Sequence, residues 1–130
     1  MSRIDRDARY YQKHRERVRK ATHDYYWSHR EIVCARHNKE NARIKKLVLT
    51  HYSNEECKCV VCGFSDIDCL TIDHIKDDGW KHRHSIGSLA GSAFYKWLYD
   101  NDLPEGFQTL CSNCNLKKEI ERRRKIRRGK

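Results

Sequence analysis

The amino-acid sequence predicts a small α+β protein in which a zinc-stapled module over residues 51–122 follows a basic helical arm over 1–50 and precedes a basic helix end or tail over 123–130. Three observations predict it. Four cysteines form two CxxC pairs, Cys59/Cys62 and Cys111/Cys114. The run Leu70-Thr71-Ile72-Asp73-His74-Ile75 alternates and is rich in branched residues. Tyr11, Val18, Tyr25 and Ile32 recur every seven residues.

The seven-residue spacing places those side chains on one helix face, and Ile44, Leu47 and Val48 continue an apolar pattern at three-to-four spacing. Helices are therefore expected over about 5–22 and 25–50, continuous or broken near Thr22 to Asp24. Within them Tyr10-Tyr11-Gln12-Lys13-His14-Arg15-Glu16-Arg17-Val18 recurs, loosely, as Tyr25-Tyr26-Trp27-Ser28-His29-Arg30-Glu31-Ile32-Val33, an offset of fifteen residues. Two copies do not make a solenoid.

The chain carries a net charge of +10, distributed unevenly. Residues 1–50 hold 14 Lys/Arg against 6 Asp/Glu, residues 51–110 hold 5 against 10, and residues 111–130 hold 9 against 2. Basic ends around an acidic centre suit a protein that grips phosphates with its ends and holds a cation in its middle. Arg15 and Arg30 in the arm and Arg122, Arg123 and Arg124 near the end are the candidate phosphate contacts, so an anionic partner is expected. The plainer reading of the arm, an amphipathic helix whose aromatics pack on the rest of the chain, uses the same residues.

After His51 the composition changes. Cysteines, Gly63 and the acids Asp66 and Asp68 mark a turn-rich knuckle, and Leu70 to Ile75 reads as a strand. A loop of about thirty residues is expected next, carrying Lys81-His82-Arg83-His84 and one short helix from Ser92 to Tyr99. Phe107 to Leu110 suggests a second strand. A final helix is expected from an N-cap at Ser112, with Leu116 and Ile120 directed toward the core.

Two CxxC pairs separated by 48 residues supply four thiolates, a complete tetrahedral shell for a structural zinc ion. Cys57 is an alternative ligand to Cys59, although Cys59 has the better spacing to Cys62. An odd total of seven cysteines fits metal binding in a reducing compartment better than a disulfide framework. No apolar run reaches membrane-spanning length and the charged start resembles no signal peptide, so an intracellular location is expected.

Asp73 and His74 end the first strand, and Asn115 follows the last cysteine of the second pair. If zinc pins the knuckle to the start of the last helix, these three side chains converge. Asp73 and Asn115 offer hard oxygens suited to Mg²⁺ or another divalent cation, and a neutral imidazole at His74 can take a proton from water. Arg83 is the candidate for neutralising charge on a phosphate. Strict strand alternation sends Asp73 and His74 to opposite faces, so sharing one site requires a bend or a substrate lying between them.

Cys59-Val60-Val61-Cys62-Gly63, Leu70 to Ile75, and Leu110-Cys111-Ser112-Asn113-Cys114-Asn115-Leu116-Lys117-Lys118 together resemble the zinc-containing HNH endonucleases, built on the ββα-metal motif. The basic Tyr-rich arm is similar, more loosely, to extensions in phage and homing-endonuclease relatives. The resemblance implies a metal-dependent DNA endonuclease in which His74 is the general base, Asp73 and Asn115 hold the catalytic cation, and Lys118 matches the family's trailing lysine at the phosphate. The family's middle Asn, which steadies the base, is absent: Gly106-Phe107-Gln108 stands in its place. That leaves the partner of His74 open, with a backbone carbonyl as a candidate. The same residues also suit a zinc-stapled nucleic-acid-binding module that does not cut, or a nuclease subunit acting with a partner protein or as a homodimer.

Overall fold

The computed structural model describes residues 2–129, which divide into two units, residues 1–39 and residues 40–130. The first unit is helical. Helix α1 spans Arg3–Ser28, and α2, Arg30–His51, begins in this unit and ends in the next. Ser2 and Asp5 form a reciprocal capping box at the start of α1. The interruption lies at His29; the sequence pattern left the helices continuous or broken near Thr22 to Asp24. Thr22 donates its hydroxyl to the Val18 carbonyl, which keeps this β-branched residue inside the helix. The backbone instead leaves helical geometry at His29, with φ −119° and ψ 19°. His14 does the same, with φ −115° and ψ 16°. These histidines occupy equivalent places in the two copies of the repeat, and each ring contacts the tyrosine four residues before it, His14 with Tyr10 and His29 with Tyr25.

No residue of α1 is buried, and Tyr11, Tyr25 and Ile32 of the seven-residue stripe are exposed. The stripe therefore forms no core within its own unit.

The second unit takes Ile44, Val48 and Leu49 from the last turns of α2 as one wall of its core. A turn-rich segment leads through a short 3-10 helix, Ile67–Cys69, into β1, Leu70–His74. Two helices follow, α3 at Gly79–Ser85 and α4 at Gly91–Asp100. Only α4 was expected; α3 occupies the segment read as loop. Strand β2, Phe107–Cys111, pairs antiparallel with β1 in the register Leu70↔Cys111 to His74↔Phe107. Helix α5, Ser112–Arg128, closes the chain, so the basic terminal segment is helical as far as Arg128.

Apolar packing falls into two clusters. Ile44, Val48, Tyr52, Phe94, Leu98 and Phe107 join α2, α4 and β2, while Leu49, Cys59, Leu70, Leu110 and Cys111 join α2, the knuckle and the ribbon. Thr109, fully buried, donates its hydroxyl to the Leu49 carbonyl and its N–H to the Tyr52 carbonyl. The sheet is thereby fastened to the end of α2 by polar as well as apolar contacts.

Two expectations for α5 are corrected. Its N-cap is Cys111, whose sulfur accepts from the Cys114 N–H; Ser112 donates its hydroxyl to the Cys69 carbonyl. Leu116 and Ile120 are exposed, at 61% and 40%. The helix turns Asn115 and Lys118 toward β1, and Leu116 and Ile120 fall on other faces.

Among the described residues no helix is long and apolar enough to cross a membrane. Leu98→Ala, which opens a cavity in the first cluster, is expected to cost about 2–5 kcal/mol. Leu116→Ala is expected to cost under about 0.5 kcal/mol. Denaturant unfolding of the metal-loaded protein measures both.

Candidate functional site

The knuckle is made by its own backbone. Gly63 takes the left-handed conformation, φ 75°, its N–H donates to the Cys59 carbonyl, and the Cys59 N–H donates to the Phe64 carbonyl. The turn presents Cys59 and Cys62 to Cys111 and Cys114 at the β2–α5 junction. All four sulfurs lie within 4.8 Å of one another. Tetrahedral thiolates around zinc stand about 3.8 Å apart, from a Zn–S bond of about 2.3 Å. The Cys62 and Cys111 sulfurs are 3.6 Å apart, so the group fits a metal such as zinc. Cys57 is not part of it; its backbone has φ 46°, and Cys59 supplies the ligand.

Burial opposes the Cys59 thiolate, yet N–H groups of Cys111, Cys62 and Val61 outweigh it and bring the thiol down to about 6. Cys114 is pushed up to about 12 by hydrogen bonds with the sulfurs of Cys111 and then Cys62. Four thiolates at this spacing would repel one another, a cost that a bound cation would offset.

A cleft of about 560 Å³ follows β1 and is lined by Asp73, His74, Arg83, Asn115, Arg122 and Arg123. It unites the residues singled out at the strand end with those of α3 and α5. Asp73 and His74 do point to opposite faces, as alternation requires. Asp73 meets α5 and Gln108, whereas His74 joins the aromatic cluster of Phe94 and Phe107. Both reach the cleft because the two-stranded ribbon leaves one edge of β1 unpaired.

His74 Nε2 is 3.1 Å from His82 Nδ1, so the partner of the imidazole is a side chain on α3 and not a backbone carbonyl. Burial, then the nearby His82, lowers the His74 pKa, and the ring is neutral at neutral pH. When Nε2–H donates to His82, the basic atom of His74 is Nδ1. Gly79 packs there: a Cβ at that position would lie 2.9 Å from Nδ1. The glycine leaves the ring nitrogen open.

Asp73 Oδ2 accepts from Gln108 Nε2 at 2.8 Å and from Lys118 Nζ at 2.6 Å. Lys118 also reaches Asp77 Oδ1 at 2.9 Å and the His74 carbonyl at 2.7 Å. Burial opposes its charge, but Asp73 and Asp77 outweigh burial and raise its pKa. Lys118 is therefore engaged with Asp73, a different place from the phosphate contact expected of it. Asn115 donates Nδ2 to Thr71 Oγ1. Among the described residues, Asp73 Oδ1 and the Asn115 carboxamide oxygen make no hydrogen bond, and they are the hard donors available to a divalent cation.

Arg122 and Arg123 both bind Glu119, and Arg83 donates Nε to the Gly79 carbonyl. Arg124 is exposed outside the cleft lining. Arg15 and Arg30 are exposed in the first unit, where Arg30 stacks over Trp27. Gln108, His82 and Asp77 carry contacts that sequence reasoning did not assign to them. Gln108 becomes visible once β1 and β2 are paired, since it stands directly opposite Asp73. Comparison with known proteins found no matching family model, curated protein or solved structure.

The purified protein is expected to contain one zinc per chain by elemental analysis. Cys62→Ser and Cys114→Ser should lose it, and Cys57→Ser and Cys69→Ser should keep it. Chelation should unfold the second unit, because a structural zinc supplies about 10–16 kcal/mol of apparent binding free energy.

Proposed function

We propose that the protein is a metal-dependent DNA endonuclease of the HNH kind. The observation that carries this reading is the meeting of Asp73, His74 and Asn115 in one cleft beside the four-cysteine cluster. His74, neutral and oriented by His82, accepts a proton at Nδ1 from water as that water attacks phosphorus; the bond from phosphorus to the departing 3′ oxygen breaks. Asp73 Oδ1 and the Asn115 oxygen would hold a Mg²⁺ or similar ion, which when bound would supply Lewis-acid polarisation of the phosphate and of the departing oxygen. Gln108 and Lys118 fix Asp73 through its other oxygen. Arg83 neutralises charge on the phosphate. The exposed Arg15 and Arg30 and the basic face of α5 add sequence-independent phosphate contacts, so affinity should fall steeply with salt.

One observation favours a second reading. The Lys118 ammonium already neutralises Asp73, as suits a zinc-stapled module that binds nucleic acid without cutting it. Supercoiled plasmid with and without Mg²⁺ separates the two, since only the nuclease yields nicked or linear product.

His74→Ala is expected to lower Mg²⁺-dependent cleavage at least about a hundredfold while zinc content and low-salt DNA binding persist. Undiminished cleavage by that variant overturns the mechanism. Gly79→Ala places a methyl group against His74 Nδ1 and should cost about a hundredfold in rate, although alanine favours the helix. Its thermal midpoint should fall modestly, because the packed imidazole must shift to admit the methyl.

A further inference from the structure

The cleft contains a side chain with no part in the chemistry above. Trp80, near the start of α3, is 73% exposed, whereas Trp97 packs against the aromatic cluster. The Trp80 indole lies parallel to the imidazole of His84 one turn later, with centroids 5.8 Å apart and planes 8° apart. The contact holds the indole flat and leaves most of it open. Trp80 lines the same cleft as Asp73 and His74.

Charge says what suits this ring. The carboxylates of Asp73 and Asp77 are engaged by Lys118, and Glu119 is engaged by Arg122 and Arg123. Arg83 makes no ion pair among the described residues; its one hydrogen bond runs from Nε to the Gly79 carbonyl. Trp80 and Arg83 are three apart on one helix and so are surface neighbours. An open aromatic face beside an unpaired guanidinium matches a nucleotide, with its base on the ring and its phosphate on the cation. Bases of a continuous duplex are stacked on one another and cannot offer that face.

We propose that Trp80, backed by His84, is a stacking platform for an unpaired base, and that the cleft takes DNA with a single-stranded or bulged nucleotide in preference to continuous duplex. This substrate class rests on the nuclease reading, but the stacking requires no cleavage.

Binding without added Mg²⁺ tests it. Fluorescence anisotropy would compare the wild type, Trp80→Phe and Trp80→Ala on a single-stranded thymidine oligonucleotide, a blunt duplex and the same duplex with a one-nucleotide bulge. Zinc content and circular dichroism would establish that each variant is folded. Trp80→Ala should weaken single-strand and bulge binding about tenfold and duplex binding less than about twofold, with Trp80→Phe between. Equal losses on all three probes, an unchanged single-strand affinity, or no single-strand binding at low salt would each overturn the platform. Cleavage by the wild type with unchanged Trp80→Ala binding removes the platform and spares the nuclease. Selective loss in Trp80→Ala with no plasmid cleavage does the reverse.

Discussion

The arrangement of the second unit depends on four sulfurs gathered within 4.8 Å. Two come from a knuckle shaped by Gly63, and two from the point where β2 becomes α5. A metal there would join segments separated by 48 residues and restrict the rotation of α5 about its axis. With Cys111 as cap and Cys114 turned to the cluster, Asn115 and Lys118 meet Thr71 and Asp73. The apolar Leu116 and Ile120 are left in solvent. Ligand geometry would override hydrophobic patterning there, since binding a structural zinc would be worth several times the burial of two aliphatic side chains.

Around that frame the ribbon separates two environments. On one face of β1, Asp73 meets an amide and an ammonium. On the other, His74 lies among Phe94, Phe107 and His82, where desolvation keeps an imidazole uncharged. Neighbouring residues on one strand thus meet different surroundings because the pleat sends them to opposite faces. An unpaired edge lets both reach one cleft.

Much of this was legible in the sequence. The CxxC spacing identified the cysteine group, β-branched alternation found β1, and the apolar residues near Phe107 found β2. Local signals placed α4 within a residue or so at each end. What escaped depended on contacts made only after folding. The helix α3 lies in a segment whose N-cap, Asp78, makes no side-chain cap bond, and it is short. The role of Gln108 follows from cross-strand register, and that of His82 from the packing of α3 against β1. Lys118 was placed on the correct side of α5, but its acidic partners Asp73 and Asp77 were not foreseen. In the arm, where a break near Thr22 to Asp24 was one of two possibilities, the hydroxyl bond of Thr22 to Val18 accompanies continuous helix.

The histidines at positions 14 and 29 give the arm a modular construction. Each copy of the repeat carries the same backbone departure at its centre, φ near −115° to −119° and ψ of 16° to 19°, and a contact with the same tyrosine. The repeat preserves a joint as well as a composition. Each segment between joints is about 22 Å of helix at about 1.5 Å per residue. Gain or loss of a whole unit would change the arm's contour in steps of that size and leave the chemistry of every joint intact. Gain or loss of a few residues would instead shift the next joint away from its tyrosine.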